Sequence, residues 1–191
     1  MPVTHHKPVN DLRNFQRATL KVAIEFGPRI PFELDKSHKK KSGPESEKKH
    51  KGTTAMIGCG GLFIQTDDFL PAGSEIWMKF KLPGEKHIIL AEGNVVWIIA
   101  KPNVNKRYPQ LGMGVKFIRL DEPSLRIIDF YVTQKNRIFR ELKFLITQEN
   151  PQMKKINELL TSTYIQDYRS LDDLRKQIDW EMASFRFSRT N

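Results

Sequence analysis

Residues 75–99 read EIWMKFKLPGEKHIILAEGNVVWII. From Glu75 to Lys81 every second residue, Ile76, Met78 and Phe80, is apolar, the period of a strand with one buried face. Pro83 and Gly84 then supply a turn, and Ile88 to Ile99 is long enough for a second, longer strand. Working outward, Lys101 to Pro109 is polar and loop-like, and Leu111 to Leu120 reads as the final strand. On the other side, Pro71, Ala72 and Gly73 form a turn. Before it, the strand segments Thr53 to Ile57 and Leu62 to Thr66 are separated by Gly58, Gly60 and Gly61. A first strand is expected from Thr19 to Phe26, where Leu20, Val22, Ile24 and Phe26 alternate with Lys21, Ala23 and Glu25. Short strands punctuated by turns, with no helix between them, point to an antiparallel barrel or sandwich.

The pattern changes at Asp121. An aspartate suited to an N-cap is followed by Pro123 in the first turn, and Leu125, Ile128, Val132, Phe139, Leu142 and Leu145 recur at helical spacing as far as Glu149. Asn150 and Pro151 break that helix. A second helical stretch carries Ile156, Leu159, Leu160 and Tyr164, and Ser170 with Asp173 forms a capping-box pattern ahead of Leu171, Leu174, Ile178 and Phe185.

The chain has 191 residues, 39% of them hydrophobic, which leaves part of its length for solvated loop or tail. The segment 36–51 is such a stretch, rich in lysine and without a large apolar residue, and is expected to be an exposed loop. A single cysteine, Cys59, excludes an internal disulfide, and His5, His6, His38, His50 and His87 are not at metal-ligand or triad spacing. Neither a transmembrane run nor a signal peptide is visible, so the expected location is cytoplasmic. The net charge of +10 calls for anionic partners without choosing among them. Nucleic acid is disfavoured, because the lysine run is interrupted by Glu45 and Glu47 and carries no aromatic residue for base stacking. No phosphate loop, nucleophile elbow, metal motif or dinucleotide fingerprint is present, so no enzymatic activity and no cofactor are expected.

Two features remain as candidate sites. Arg13 and Arg17, four residues apart just before the first strand, project to the same side of an extended segment and can close on one anion. The Met56 to Gly61 turn contributes Gly58, Gly60 and Gly61, whose small size serves either backbone geometry or the approach of a flat ligand to backbone N–H groups. Cys59 reads as a small buried residue, Asp67 and Asp68 as bend formers, and Trp77 and Trp97 as core.

Taken in order, these pieces resemble a PilZ domain. The resemblance rests on Arg13 to Arg17, on Gly60 to Ile64, and on the LPAGSEI turn from Leu70 to Ile76. It continues in Gly93, Val95 and Trp97, which match a GxVxW strand, and in Gly112, Gly114, Val115 and Phe117, which match a GxGVxF strand. It implies a six-stranded antiparallel β-barrel with a C-terminal helical extension. The expected organisation is residues 1–11 as a flexible N-terminus, 12–133 as the barrel and 134–191 as the helical extension. The implied ligand is the second messenger cyclic di-GMP, clamped by the RxxxR arginines and by a D/NxSxxG turn. Aligned on Gly61, that turn holds Met56 and Gly58 in place of its polar residues, a loss of contacts that weakens binding ~100-fold or more. Two functions follow: a cyclic di-GMP effector that changes a protein-protein interaction, and a nucleotide-independent interaction protein in motility, polarity or envelope regulation. Either meets an unidentified protein partner, with the C-terminal helices as the docking element.

Overall fold

The computed structural model describes residues 16–29, 49–101, 111–162, 164, 172–176 and 178–179. The strands are β1 (Arg17–Thr19), β2 (Ala23–Pro28), β3 (His50–Gly58), β4 (Gly61–Gln65), β5 (Glu75–Lys81), β6 (Ile88–Ile99) and β7 (Gly112–Leu120). Helices α1 (Glu122–Ile146) and α2 (Met153–Leu160) follow. Every strand pairing is antiparallel, in the order β1-β3-β2-β5-β6-β7-β4, and a β3–β4 pairing closes the ring. Because β1 and β2 are two pieces of one strand, both laid along β3, the closed sheet is a six-stranded barrel with a helical extension.

Two details differ from the sequence reading. The first strand is not continuous from Thr19 to Phe26 but breaks at Leu20–Val22, where the Thr54 hydroxyl enters the ladder. It donates to Leu20 O at 2.9 Å and accepts from Val22 N at 3.1 Å, so the interrupted backbone stays satisfied. Strand β3 begins at His50 rather than Thr53, taking the last two residues of the expected 36–51 loop. His50 is only 6% exposed: its ring stacks on Phe26 at 5.4 Å and its Nδ1 lies 3.1 Å from Asp68 Oδ2. The lysine-rich composition masked that anchor. Residues 36–48 of the loop, and most of the expected 101–109 loop, lie outside the described residues.

The barrel interior holds the alternating residues of every strand, among them Ile24, Phe26, Ile57, Ile64, Ile76, Met78, Ile89, Val95 and Met113. Each such side chain contributes about 1.5–3 kcal/mol on burial. Helix α1 starts where expected: Asp121 Oδ1 accepts from Ser124 N at 2.9 Å, and Pro123 sits in the first turn. Hydrogen bonding from Ser124, its side chain first and its backbone N–H second, holds the Asp121 carboxyl below its usual range. The first half of α1 gives Ile128, Tyr131 and Val132 to the barrel core. Its second half gives Ile138, Phe139, Leu142 and Leu145 to a separate cluster with Ile156, Leu174 and Ile178. One unbroken helix therefore belongs to both cores. Residues 172–176 and 178–179 are helical, whereas Ser170, Leu171 and Phe185 lie outside the described residues. Among the described residues no helix is long and apolar enough to cross a membrane.

Candidate functional site

Arg17 opens β1 and stands directly opposite Gly58 in the β1–β3 register. The glycine is what lets the two strands close. A Cβ at position 58 would lie 2.6 Å from Gln16 O and 3.1 Å from Arg17 Cγ. The departure from the polar turn thus has a steric side: the N-terminal segment occupies the space that any side chain at 58 would need. Gly60 O accepts from Phe117 N at 3.1 Å, and a Cβ on Gly61 would fall 2.1 Å from Val115 O, so Gly61 is what allows the close β4–β7 approach.

These elements frame a groove of about 90 Å³ whose walls include Arg17, Met56, Gly60, Gly61, Phe63, Trp97 and Lys116. Enclosed ligand sites typically span about 300–1,000 Å³, so this groove is too small to enclose a molecule of nucleotide size. Trp97 and Phe63 form a stacked pair, centroids 5.1 Å apart and planes 17° from parallel. Glycines again make the room. A Cβ on Gly114 would meet Trp97 Cε2 at 2.2 Å, and one on Gly112 would meet Phe63 Cζ at 2.5 Å. Arg17 and Lys116 bring positive charge to the same walls, so the groove combines cationic groups with an aromatic face.

Of the residues singled out from sequence, the structure gathers Arg17, Gly60 and Gly61 on the groove and places Gly58 behind Arg17, where it controls strand approach. Arg13 lies outside the described residues. Met56, the residue in place of the acidic or amide position, lines the groove with a thioether and offers only a weak acceptor. The reading of Trp97 as core is corrected: its side is 41% exposed and it forms part of the groove. Simple alternation puts it with Gly93 and Val95 inside, but the β6–β7 register shifts between Val95 and Trp97 and turns the indole outward. Trp77 is also not in the interior. It alternates with the buried Ile76 and Met78 and is only half-buried on the outer face. Phe63 and Lys116 were not singled out as groove residues; Phe63 is marked in sequence only by its place in the Gly60 to Ile64 stretch and by Gly112, where an added Cβ would meet its ring.

The remaining candidates are accounted for locally. Cys59 is half-buried, with Sγ 3.5 Å from Asp129 Oδ1. Burial first, and the neighbouring carboxylate second, push its thiol up to about 12. It therefore stays protonated and poorly nucleophilic. Asp68 meets His50, and Thr66 Oγ1 accepts from Asp68 N at 3.1 Å, which fixes the bend before Pro71. His87 Nε2 lies 2.9 Å from Ser124 Oγ and ties the β5–β6 turn to the start of α1. Among the described residues no three His, Cys, Asp or Glu side chains converge in a way that holds a metal ion.

No curated protein matches the chain by sequence. Among solved structures, the chain is similar to the inhibitor of motility MotI/DgrA from Bacillus subtilis, at 15% identity and a TM-score of 0.49, covering 71% of this chain and 56% of that one. It is similar to YcgR from Escherichia coli, solved in complex with cyclic di-GMP, at 10% identity and a TM-score of 0.48, covering 69% of this chain and 49% of that one. The PilZ domain of YcgR, also solved with cyclic di-GMP, gives 10% identity and a TM-score of 0.46, covering 69% of this chain and 96% of that domain. The chain thus spans about half the length of the first two proteins. The family match is independent of these likenesses: the PilZ domain model matches residues 11–134, from the arginine segment through the barrel to the first half of α1. The chain belongs to the PilZ domain family.

Proposed function

We propose that this chain is a cytoplasmic cyclic di-GMP effector whose groove takes one face of the dinucleotide and whose helical extension carries the response to a protein partner. The observation that carries this reading is the placement of Arg17 on a strand pinned against Gly58, on the same groove as Gly60, Gly61 and the exposed Trp97. A guanidinium donates to phosphate oxygens in a fork or stacks on a purine, and an indole face accepts a base of any identity. Arg13, four residues before Arg17, adds the second guanidinium of the RxxxR pair. In this reading residues 12–133 carry the ligand and 134–191 face the partner. No group in it is catalytic and no cofactor is required.

Met56 favours a second reading. It presents a thioether where the family's turn offers an acceptor for guanine N–H groups, which suits an interaction protein that works without nucleotide in motility, polarity or envelope regulation. Isothermal calorimetry separates the two. The effector reading expects cyclic di-GMP to bind wild type at tens of micromolar or tighter, and Arg17→Ala to weaken binding by about tenfold or more, the loss of a hydrogen-bonded charge. Absence of heat with wild type at that concentration overturns the effector reading and leaves the interaction protein.

A further inference from the structure

Strand β1 is three residues long and, among the described residues, pairs only with β3, so there it is an edge of the sheet. Its other side is met by α1. The Lys135 ammonium donates to Thr19 O at 2.7 Å, and Asn136 Nδ2 donates to Gln16 Oε1 at 3.4 Å. Lys135 is 1% exposed, and its ammonium lies 5.9 Å from the Tyr131 ring centroid and 5.6 Å from that of Phe139. Taking an ammonium out of water is costly, and a methionine fills the same space without that cost. What the ammonium adds is direction: a charge-assisted hydrogen bond to one backbone carbonyl of the strand that carries Arg17. Gln16 and Thr19, the two residues held by α1, bracket Arg17 in the chain.

We propose that Lys135 and Asn136 are positioning residues: they latch β1 to α1, set the place of Arg17, and couple occupancy of the groove to the helical extension. The coupling runs along a rigid element, because the helix that grips β1 also supplies Ile138, Phe139, Leu142 and Leu145 to the cluster holding Ile156. Since coupling between two sites is reciprocal, a ligand that holds Arg17 in place steadies α1, and a partner that steadies α1 tightens ligand binding. The coupling rests on the reading of the groove as a cyclic di-GMP site, whereas the latch itself does not.

Hydrogen exchange and calorimetry on the full chain, with Lys135→Met, Lys135→Arg and wild type, test both parts. Without ligand, Lys135→Met is expected to exchange about tenfold faster across residues 16–20 while residues 75–99 are unchanged. With cyclic di-GMP, it is expected to bind about tenfold more weakly than wild type, and Lys135→Arg to recover to within about threefold. Saturating cyclic di-GMP is expected to slow exchange across residues 131–146 in wild type and not in Lys135→Met. If Lys135→Met lowers the melting temperature so far that binding is measured on a partly unfolded chain, Asn136→Ala provides the same comparison without altering a buried charge. Unchanged exchange at residues 16–20 in both variants overturns the latch. A released β1 with wild-type affinity overturns the coupling and keeps the latch. If wild type itself does not bind, the effector reading fails together with the coupling, and the ligand-free exchange alone decides whether α1 holds β1.

Discussion

Replacing Gly114 by alanine puts a methyl group where the Trp97 indole now lies. The new Cβ would sit 2.2 Å from Cε2, 2.3 Å from Nε1 and 2.7 Å from Cζ2, against an ordinary carbon contact of about 3.5–4.0 Å. Strand β7 is fixed between β4 and β6, so the indole is what gives, retreating by more than about 1 Å. Two losses follow. The stack on Phe63, worth about 0.5–1.5 kcal/mol, is broken, and the face offered to a base, worth about 1–3 kcal/mol per base, is displaced. Because the ring is 41% exposed it has solvent to move into, and the cost to folding stays near the low end of the 1–3 kcal/mol typical of overpacking. In a chain of this size that is a fall of roughly 2–4 °C in melting temperature. Cyclic di-GMP affinity is expected to fall about ten- to a hundredfold, and the Trp97 part of the emission, isolated by subtracting Trp97→Phe, to shift to the red. Wild-type emission together with wild-type affinity in Gly114→Ala would refute the reasoning.

Gly58→Ser restores the hydroxyl of the family's turn, yet its Cβ collides with Gln16 O, so it is expected to loosen β1 and cost about 1–3 kcal/mol by chemical denaturation instead of improving binding. Thr54→Val keeps the shape and removes the hydroxyl that bridges Leu20 and Val22; leaving those groups without their partner is expected to cost about 1–3 kcal/mol, read from the same denaturation midpoint. For Cys59, a thiol raised from 9.0 to about 12 holds far less thiolate in the folded chain than in the unfolded one at pH 8. Iodoacetamide is therefore expected to alkylate the native protein on the order of a hundredfold more slowly than the denatured chain, with Asp129→Asn reacting faster than wild type because a repelling carboxylate is gone. Equal alkylation rates for native and denatured protein would refute that placement of the thiol.

The barrel was legible wherever alternation ran undisturbed. Ile76, Met78 and Phe80 are all buried as their spacing implies, and the Asp121-to-Pro123 start of α1 is set by local capping chemistry alone. What escaped depends on partners far away in the chain. The break at Leu20–Val22 is made by Thr54, and the early start of β3 by Phe26 and Asp68 acting on a histidine at the end of a lysine run. Half of the groove was visible in the same sense: Arg17, Gly60 and Gly61 were marked by type and spacing. Trp97 was not, because an irregularity in register reverses its side of the sheet, and no period-2 count detects a bulge. Lys135 and Asn136 were invisible for a different reason. Polar residues on a helix are expected to face water, and only the edge strand laid against α1 turns these two inward.

The claim on which the functional account turns is that the Arg17 groove receives cyclic di-GMP, and a titration of isotope-labelled full-length chain followed by nuclear magnetic resonance addresses it residue by residue. Saturable shifts at the Arg17 and Gly61 amides and at the Trp97 indole N–H, abolished by Arg17→Ala, are the expected result. A titration that leaves those three signals in place, or moves only signals remote from the groove, contradicts the account.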